Sequence, residues 1–134
     1  MPPLVDANVF LRFLLDDHPE QSARCASFFA RIERGELVAR VADVAIFETV
    51  FTLERTYRHA KSSVAERVQA LLDLPGLQVS NKRRLGRAFE LYVEFRLPFG
   101  DSMQIALLEQ LNEREIISFD ADFDRVPSVE RVEP

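Results

Sequence analysis

Apolar positions along the chain switch repeatedly between short runs and helical spacing, and the switches lay out the elements. Leu4 and Val5 form a short apolar run closed by Asp6, after which Val9, Phe10, Phe13 and Leu14 recur at helical spacing, so a strand and then a helix are predicted. Pro19 opens a second helix with Ala23, Ala26, Phe29 and Ile32 on one face, ending near Gly35. Leu37 to Val41 is a strand candidate. Asp43 is placed to cap the next helix, whose Val44, Phe47, Val50, Phe51 and Tyr57 give a broad apolar arc. Ser62 or Ser63 opens a helix through Leu72, stopped by Pro75-Gly76, and Leu77 to Val79 is a brief strand. Asn81 is placed to cap a helix reaching about Phe95. Pro98-Phe99-Gly100 is a turn, and Asp101 begins a helix with Ile105, Leu108 and Leu111 in its stripe. Ile116 to Phe119 is an apolar run too short for a helix, an aspartate-rich turn follows, and Val129 to Val132 is a last edge strand.

Short strands alternating with longer helices predict an α/β fold with a parallel sheet, helices on both faces and right-handed crossovers. With 134 residues, no internal repeat and no linker, the expectation is one domain spanning residues 1–134. Hydrophobic residues at 47% and charged residues at 29% exclude a disordered chain. The net charge of −5 gives the whole chain no attraction for polyanions, so any nucleic-acid contact must be local. The single cysteine, Cys25, offers neither an internal disulfide nor a Cys-x-x-Cys motif. With no signal-like start and no apolar stretch near the roughly 20 residues of a membrane span, the expected location is the cytoplasm.

The candidate chemistry lies in carboxylates. In open parallel sheets the ligand crevice lies beyond the carboxyl ends of the strands, where Asp6 follows Leu4-Val5 and Asp120 follows Ile116 to Phe119. Either could merely cap the element after it. Glu48 sits one turn from Val44 and close to Phe51, at the margin of an apolar arc, where a solvated glutamate is out of place. Asp101 is in line with Ile105 and Leu108, at the N-terminal end of a buried stripe. If these groups converge, two carboxylates about 5 Å apart repel by roughly 3 kcal/mol at an effective dielectric near 20, so protons or a cation must intervene. Oxygen-only ligands select Mg²⁺ or Mn²⁺, and two histidines with one cysteine support zinc poorly. The implied chemistry is metal-activated water attacking a phosphodiester.

Four segments then carry a resemblance in chain order. Val5-Asp6-Ala7-Asn8-Val9, Ala42 to Glu48 with Leu53 to Tyr57, Phe99-Gly100-Asp101-Ser102 and Ile117-Ser118-Phe119-Asp120 resemble PIN-domain ribonucleases, specifically VapC-type toxins of toxin–antitoxin pairs. The resemblance implies a PIN-like three-layer sandwich, a central mostly parallel sheet with helices on both faces, and an Mg²⁺- or Mn²⁺-dependent endoribonuclease. Asp6, Glu48 and Asp101 match the family's three acidic positions and Asp120 its more variable fourth, as catalytic and metal-binding residues. Asn8 and Ser118 match positions that support the pocket by hydrogen bonds. Gly100 and Ser118 stand where alanine and threonine are common. A cognate antitoxin and a homodimer are implied partners.

The turn Asp120-Ala121-Asp122-Phe123-Asp124 leaves open which aspartate completes the site; Asp120 is preferred, Asp122 and Asp124 are expected to be solvated, and Asp124 is an outer-shell candidate. A calcium loop is disfavoured by Arg125 and Arg131 at its sixth and twelfth positions. Glu54, on the apolar arc, is expected to be ion-paired within the fold or across a subunit contact. RNA phosphates require cations, and Lys82, Arg83, Arg84 and Arg87 form the densest cluster. The alternatives are a non-catalytic PIN-like module that binds RNA or protein, and a receiver-like phosphoacceptor domain. The latter expects paired acids after the first strand and a late lysine, whereas Asp6 stands alone and the lysines, Lys61 and Lys82, are mid-chain. A dehalogenase-type Asp-x-Asp fails because Asn8 takes the second position.

Overall fold

The computed structural model describes all of Met1–Pro134, in two compact units, Met1–Ser80 and Asn81–Pro134. The first unit contains α1 (Ala7–Leu15), α2 (Pro19–Glu33), β1 (Ala39–Val41), α3 (Asp43–Phe51), a π-helical stretch (Thr52–Thr56), α4 (Lys61–Leu72) and β2 (Leu77–Val79). The second contains α5 (Lys82–Glu94), α6 (Phe99–Gln110), β3 (Glu115–Ile117), a 3₁₀ turn (Ala121–Arg125) and β4 (Glu130–Val132).

In the first unit β1 and β2 pair in parallel, Arg40 opposite Gln78. Leu4 adds a parallel bridge to Arg40, where Val5 N–H donates to the Arg40 carbonyl at 2.8 Å. The predicted first strand shrinks to this bridge because Pro2 and Pro3 have no N–H to donate and Asp6 already begins a helix. Helices make both crossovers of this unit, as the alternation predicts. Pro19 occupies the first turn of α2, and His18 Nδ1 accepts from Gln21 N–H at 3.2 Å. Gly35, at φ +74°, takes the left-handed backbone just past that helix. The core gathers Phe10, Phe29, Ile32, Ile46, Val50, Leu53, Val64 and Val68. Phe29 sits within 5.0 to 5.4 Å of the Phe10, Phe13 and Phe28 rings.

The helix predicted from Asp43 to Tyr57 is regular only to Phe51. A wider turn follows, with Tyr57 N–H reaching the Thr52 carbonyl at 3.2 Å, and the extra residue lets Leu53 stay buried while Glu54 pairs with Lys61 at 3.2 Å. The start sites also move. Ala42, Ala60 and Pro98 occupy the caps before α3, α4 and α6 without side-chain hydrogen bonds, and Asn81 precedes α5 in left-handed backbone, also without one. Asp43 and Asp101 therefore stand in first turns, where the helix dipole favours a carboxylate.

In the second unit α5 packs on α6, with the Phe99 ring between Phe89 at 4.7 Å and Tyr92 at 5.5 Å. Arg87 forks onto Glu109 at 2.7 and 3.1 Å and also reaches Glu90, while Ser128 Oγ donates to Glu109. Strands β3 and β4 pair in parallel with Ile117 opposite Val132. The predicted run to Phe119 ends early: Ser118 N–H still donates to the Val132 carbonyl, but its Oγ turns back to accept from Asp120 N–H at 2.9 Å. The expected α/β class and parallel pairing thus hold, with one hydrogen-bonded ladder in each unit.

Candidate functional site

The second unit brings together three of the carboxylates in question. Asp101 is fixed by the first turn of α6, where buried Ser102 gives both its N–H and its hydroxyl to the Pro98 carbonyl, each at 3.1 Å. Asp120 follows β3, its N–H held by Ser118 Oγ; its own Oδ1 accepts from Asp122 N–H at 2.9 Å, closing the 3₁₀ turn. One oxygen from each of Asp101, Asp120 and Asp122 lies within 4.8 Å of the others. At an effective dielectric near 20, each close pair of charges repels by roughly 3 kcal/mol, and by less at the exposed Asp120, where water screens it.

Asp101 carries the consequence. Its Oδ2 is buried and has no hydrogen-bond partner. Burial, followed by the negative charges of Asp120 and Asp122, pushes its carboxyl above the ordinary range. A buried acceptor without a donor is costly, and the same carboxylate has further acceptors close by. A hard divalent cation, taking oxygen ligands only, fits such a donor set. Asp122 is the residue that sequence reasoning set aside as solvated. The signal was the Asp-x-Asp spacing, which within a tight turn returns the second carboxylate to the side of the first. Asp122 also meets Arg125 at 2.9 Å.

Asp124, the outer-shell candidate, is turned towards Arg131, which forks onto both its oxygens at 3.0 and 3.2 Å. Ser118 does hold a residue of the cluster by a hydrogen bond, through the Asp120 backbone.

The remaining acidic candidates lie in the first unit. Asp6 is the N-cap of α1, its Oδ1 accepting from Ala7 N–H at 2.8 Å, and both Asp6 and Asn8 are exposed. They line a cavity of about 730 Å³ together with Arg12, Arg24, Cys25 and Phe28. Glu48 is exposed on α3 beside exposed Val44 and Phe51, because the buried face of that helix runs through Ala45, Ile46, Thr49 and Val50. Glu54 has the ion pair expected of it, with Lys61. Of the cationic cluster on α5, Lys82 and Arg83 are exposed, Arg84 donates to Gln110 at 3.0 Å, and Arg87 braces α5 against α6 through Glu109.

Comparison with known proteins identifies the family. The chain belongs to the PIN domain family, whose match covers residues 4–129. It is similar to a VapC ribonuclease of Aquifex aeolicus (strain VF5), 26% identical over 124 residues that make up 92% of this chain and 90% of that protein. No helix is long and apolar enough to cross a membrane.

Proposed function

We propose that this chain is a divalent-metal-dependent endoribonuclease, a single nuclease domain that acts as the toxin of a toxin–antitoxin pair. The observation that carries the reading is the cluster of Asp101, Asp120 and Asp122 with the unpartnered, buried Oδ2 of Asp101. Family membership and similarity to a protein named VapC ribonuclease support the class of reaction. Asp101 and Asp120, joined by Asp122, would hold Mg²⁺ or Mn²⁺. When bound, the ion supplies charge neutralisation at the phosphoryl oxygens and activation of water.

The chain's own residues do the rest. Ser118 and the Asp120–Asp122 turn fix the direction of two carboxylates before any ligand arrives, so little reorganisation is left for the bound state. Asp6 and Glu48 are proposed as further catalytic acids, with Asn8 supporting Asp6. Lys82, Arg83 and Arg84 are proposed to contact RNA phosphates, and Arg87 to hold their helix in place. A ribose 2′-hydroxyl is not the nucleophile in this reading, so products carry a 5′-phosphate and a 3′-hydroxyl. A cognate antitoxin, a homodimer and a cytoplasmic location belong to the same proposal.

The test is incubation of the protein with a mixed RNA pool in Mn²⁺ or in EDTA, beside Asp101→Asn and Asp6→Ala. Cleavage only by the unaltered protein, and only with Mn²⁺, is expected. Cleavage that persists in EDTA or in Asp101→Asn contradicts the mechanism, and Mn²⁺ binding without cleavage of any RNA points instead to a non-catalytic binding module.

A further inference from the structure

Arg131, on β4, meets three parts of the chain around the acidic turn. Its Nε and Nη2 fork onto Asp124, and its Nη1 donates to the Ser118 carbonyl at 3.3 Å and to Glu133 at 3.1 Å. Ser118 and Asp124 bracket the segment that carries Asp120 and Asp122. Inside that bracket a relay of hydrogen bonds runs from Ser118 Oγ to Asp120 N–H and from Asp120 Oδ1 to Asp122 N–H. We propose that Arg131 is a positioning residue that clamps both ends of this segment and so holds Asp120 and Asp122 beside Asp101.

The competing description is an ordinary surface ion pair, which contributes little. Two features separate Arg131 from that case. Its side chain is only 19% exposed, against 54% for Asp124, so the guanidinium is the fixed member and the loop is what it fixes. Its contact with Asp124 is bidentate, a geometry that restricts orientation as well as distance and that lysine cannot reproduce. Phe123, buried at the middle of the turn, anchors the segment independently. Loss of the clamp should therefore loosen the aspartates without unfolding the unit. Groups that orient ligands in this indirect way commonly alter metal affinity by about 10- to 100-fold.

The inference rests on the metal reading above, and the experiment separates the two. Full-length protein, freed of metal, is compared with Arg131→Lys, Asp124→Ala, the double variant and Glu133→Gln, which removes only the outer partner. Amide hydrogen exchange of residues 119–124 is measured without metal, and Mn²⁺ affinity by calorimetry, with circular dichroism and Tm as checks on folding. The expected result is faster exchange in that segment and about 10-fold weaker Mn²⁺ binding in Arg131→Lys and Asp124→Ala, at nearly unchanged Tm. The double variant should be no weaker than either single one, and Glu133→Gln should match the unaltered protein. Should Arg131→Lys fail to fold, Asp124→Ala carries the test alone. Unchanged exchange in the clamp variants overturns the proposal whatever the metal does, as does an equal loss of Mn²⁺ affinity in Glu133→Gln. Absence of Mn²⁺ binding to the unaltered protein, or full binding to Asp101→Asn, overturns the metal reading and this role with it.

Discussion

Asp101 concentrates the physical conflict at the proposed site, and titration exposes it. Its folded-state pKa is raised, by burial and then by Asp120 and Asp122, so its contribution to stability is fully present below the unfolded value of about 4 and is lost as pH rises through the folded value. Glu109 has the opposite sign: hydrogen bonding to Arg87 lowers its pKa, so its contribution is present above about 4.3 and is lost as pH falls through the folded value. Asp101→Asn removes only the first effect. Metal-free Asp101→Asn should therefore gain Tm relative to the unaltered protein as pH is raised from about 4 to 7, while in Mn²⁺ the same variant loses RNA cleavage. A Tm difference that is flat over this range, measured by calorimetry, contradicts the account of Asp101. At this scale the sequence showed which acids to suspect but not how they are held. Asp101 and Asp120 were legible from strand-end and helix-start positions. Asp122 was left open and expected to be solvated, because its neighbour in space is set by an Asx turn rather than by a period, and the role of Arg131 was not legible, because Asp124 and Ser118 lie 7 and 13 residues away.

Elements were legible wherever local chemistry agreed with the packing. Pro19, Gly35 and the Pro75-Gly76 pair mark real ends, and the periodic stripes of α1, α2 and α6 bury Phe10, Phe29 with Ile32, and Ile105, whereas Ala23 and Ala26 of the α2 stripe and Leu111 of the α6 stripe are exposed because those helices bury Ser22 and Ala106 instead. Departures occur where tertiary demands outrank the local signal. The apolar arc from Val44 to Tyr57 is too broad for one helical face, and a π-helical turn divides it, leaving Val44, Phe51 and Tyr57 exposed. Gly76 shows a constraint that composition alone does not reveal. A Cβ at this position would stand 2.2 Å from the Leu37 carbonyl oxygen and 2.7 Å from that of Ile32, both backbone atoms. Its own N–H donates to Ile32 and its carbonyl accepts from Ala39, so Gly76 ties the end of α2 to the start of β1. Gly76→Ala should destabilise the protein by roughly 2 kcal/mol or more, read as a lower denaturation midpoint with unchanged slope. A midpoint equal to that of the unaltered protein would mean the backbone there moves freely.

For the whole molecule, alternation of strands and helices was enough to give the α/β class, and four short acidic motifs in order were enough to give the family, whose match runs through both compact units. Net charge gave a different kind of information. At −5 the chain repels a polyanion overall, so RNA binding must rest on a local cationic face. Replacing Lys82, Arg83 and Arg84 together by alanine should weaken RNA binding and reduce the steepness of its salt dependence by about 2, at roughly 0.7 per phosphate contact to a single strand. An unchanged salt slope, measured over a range of KCl concentrations, would place the phosphate contacts elsewhere. The central claim is narrower: the carboxylates of the second unit hold a divalent ion. Calorimetric titration of Mn²⁺ into metal-free protein and into Asp101→Asn near pH 7 tests it most directly. Saturable binding to the unaltered protein, and its loss in a folded Asp101→Asn, is the predicted result; equal binding by the two proteins, or none by either, contradicts it.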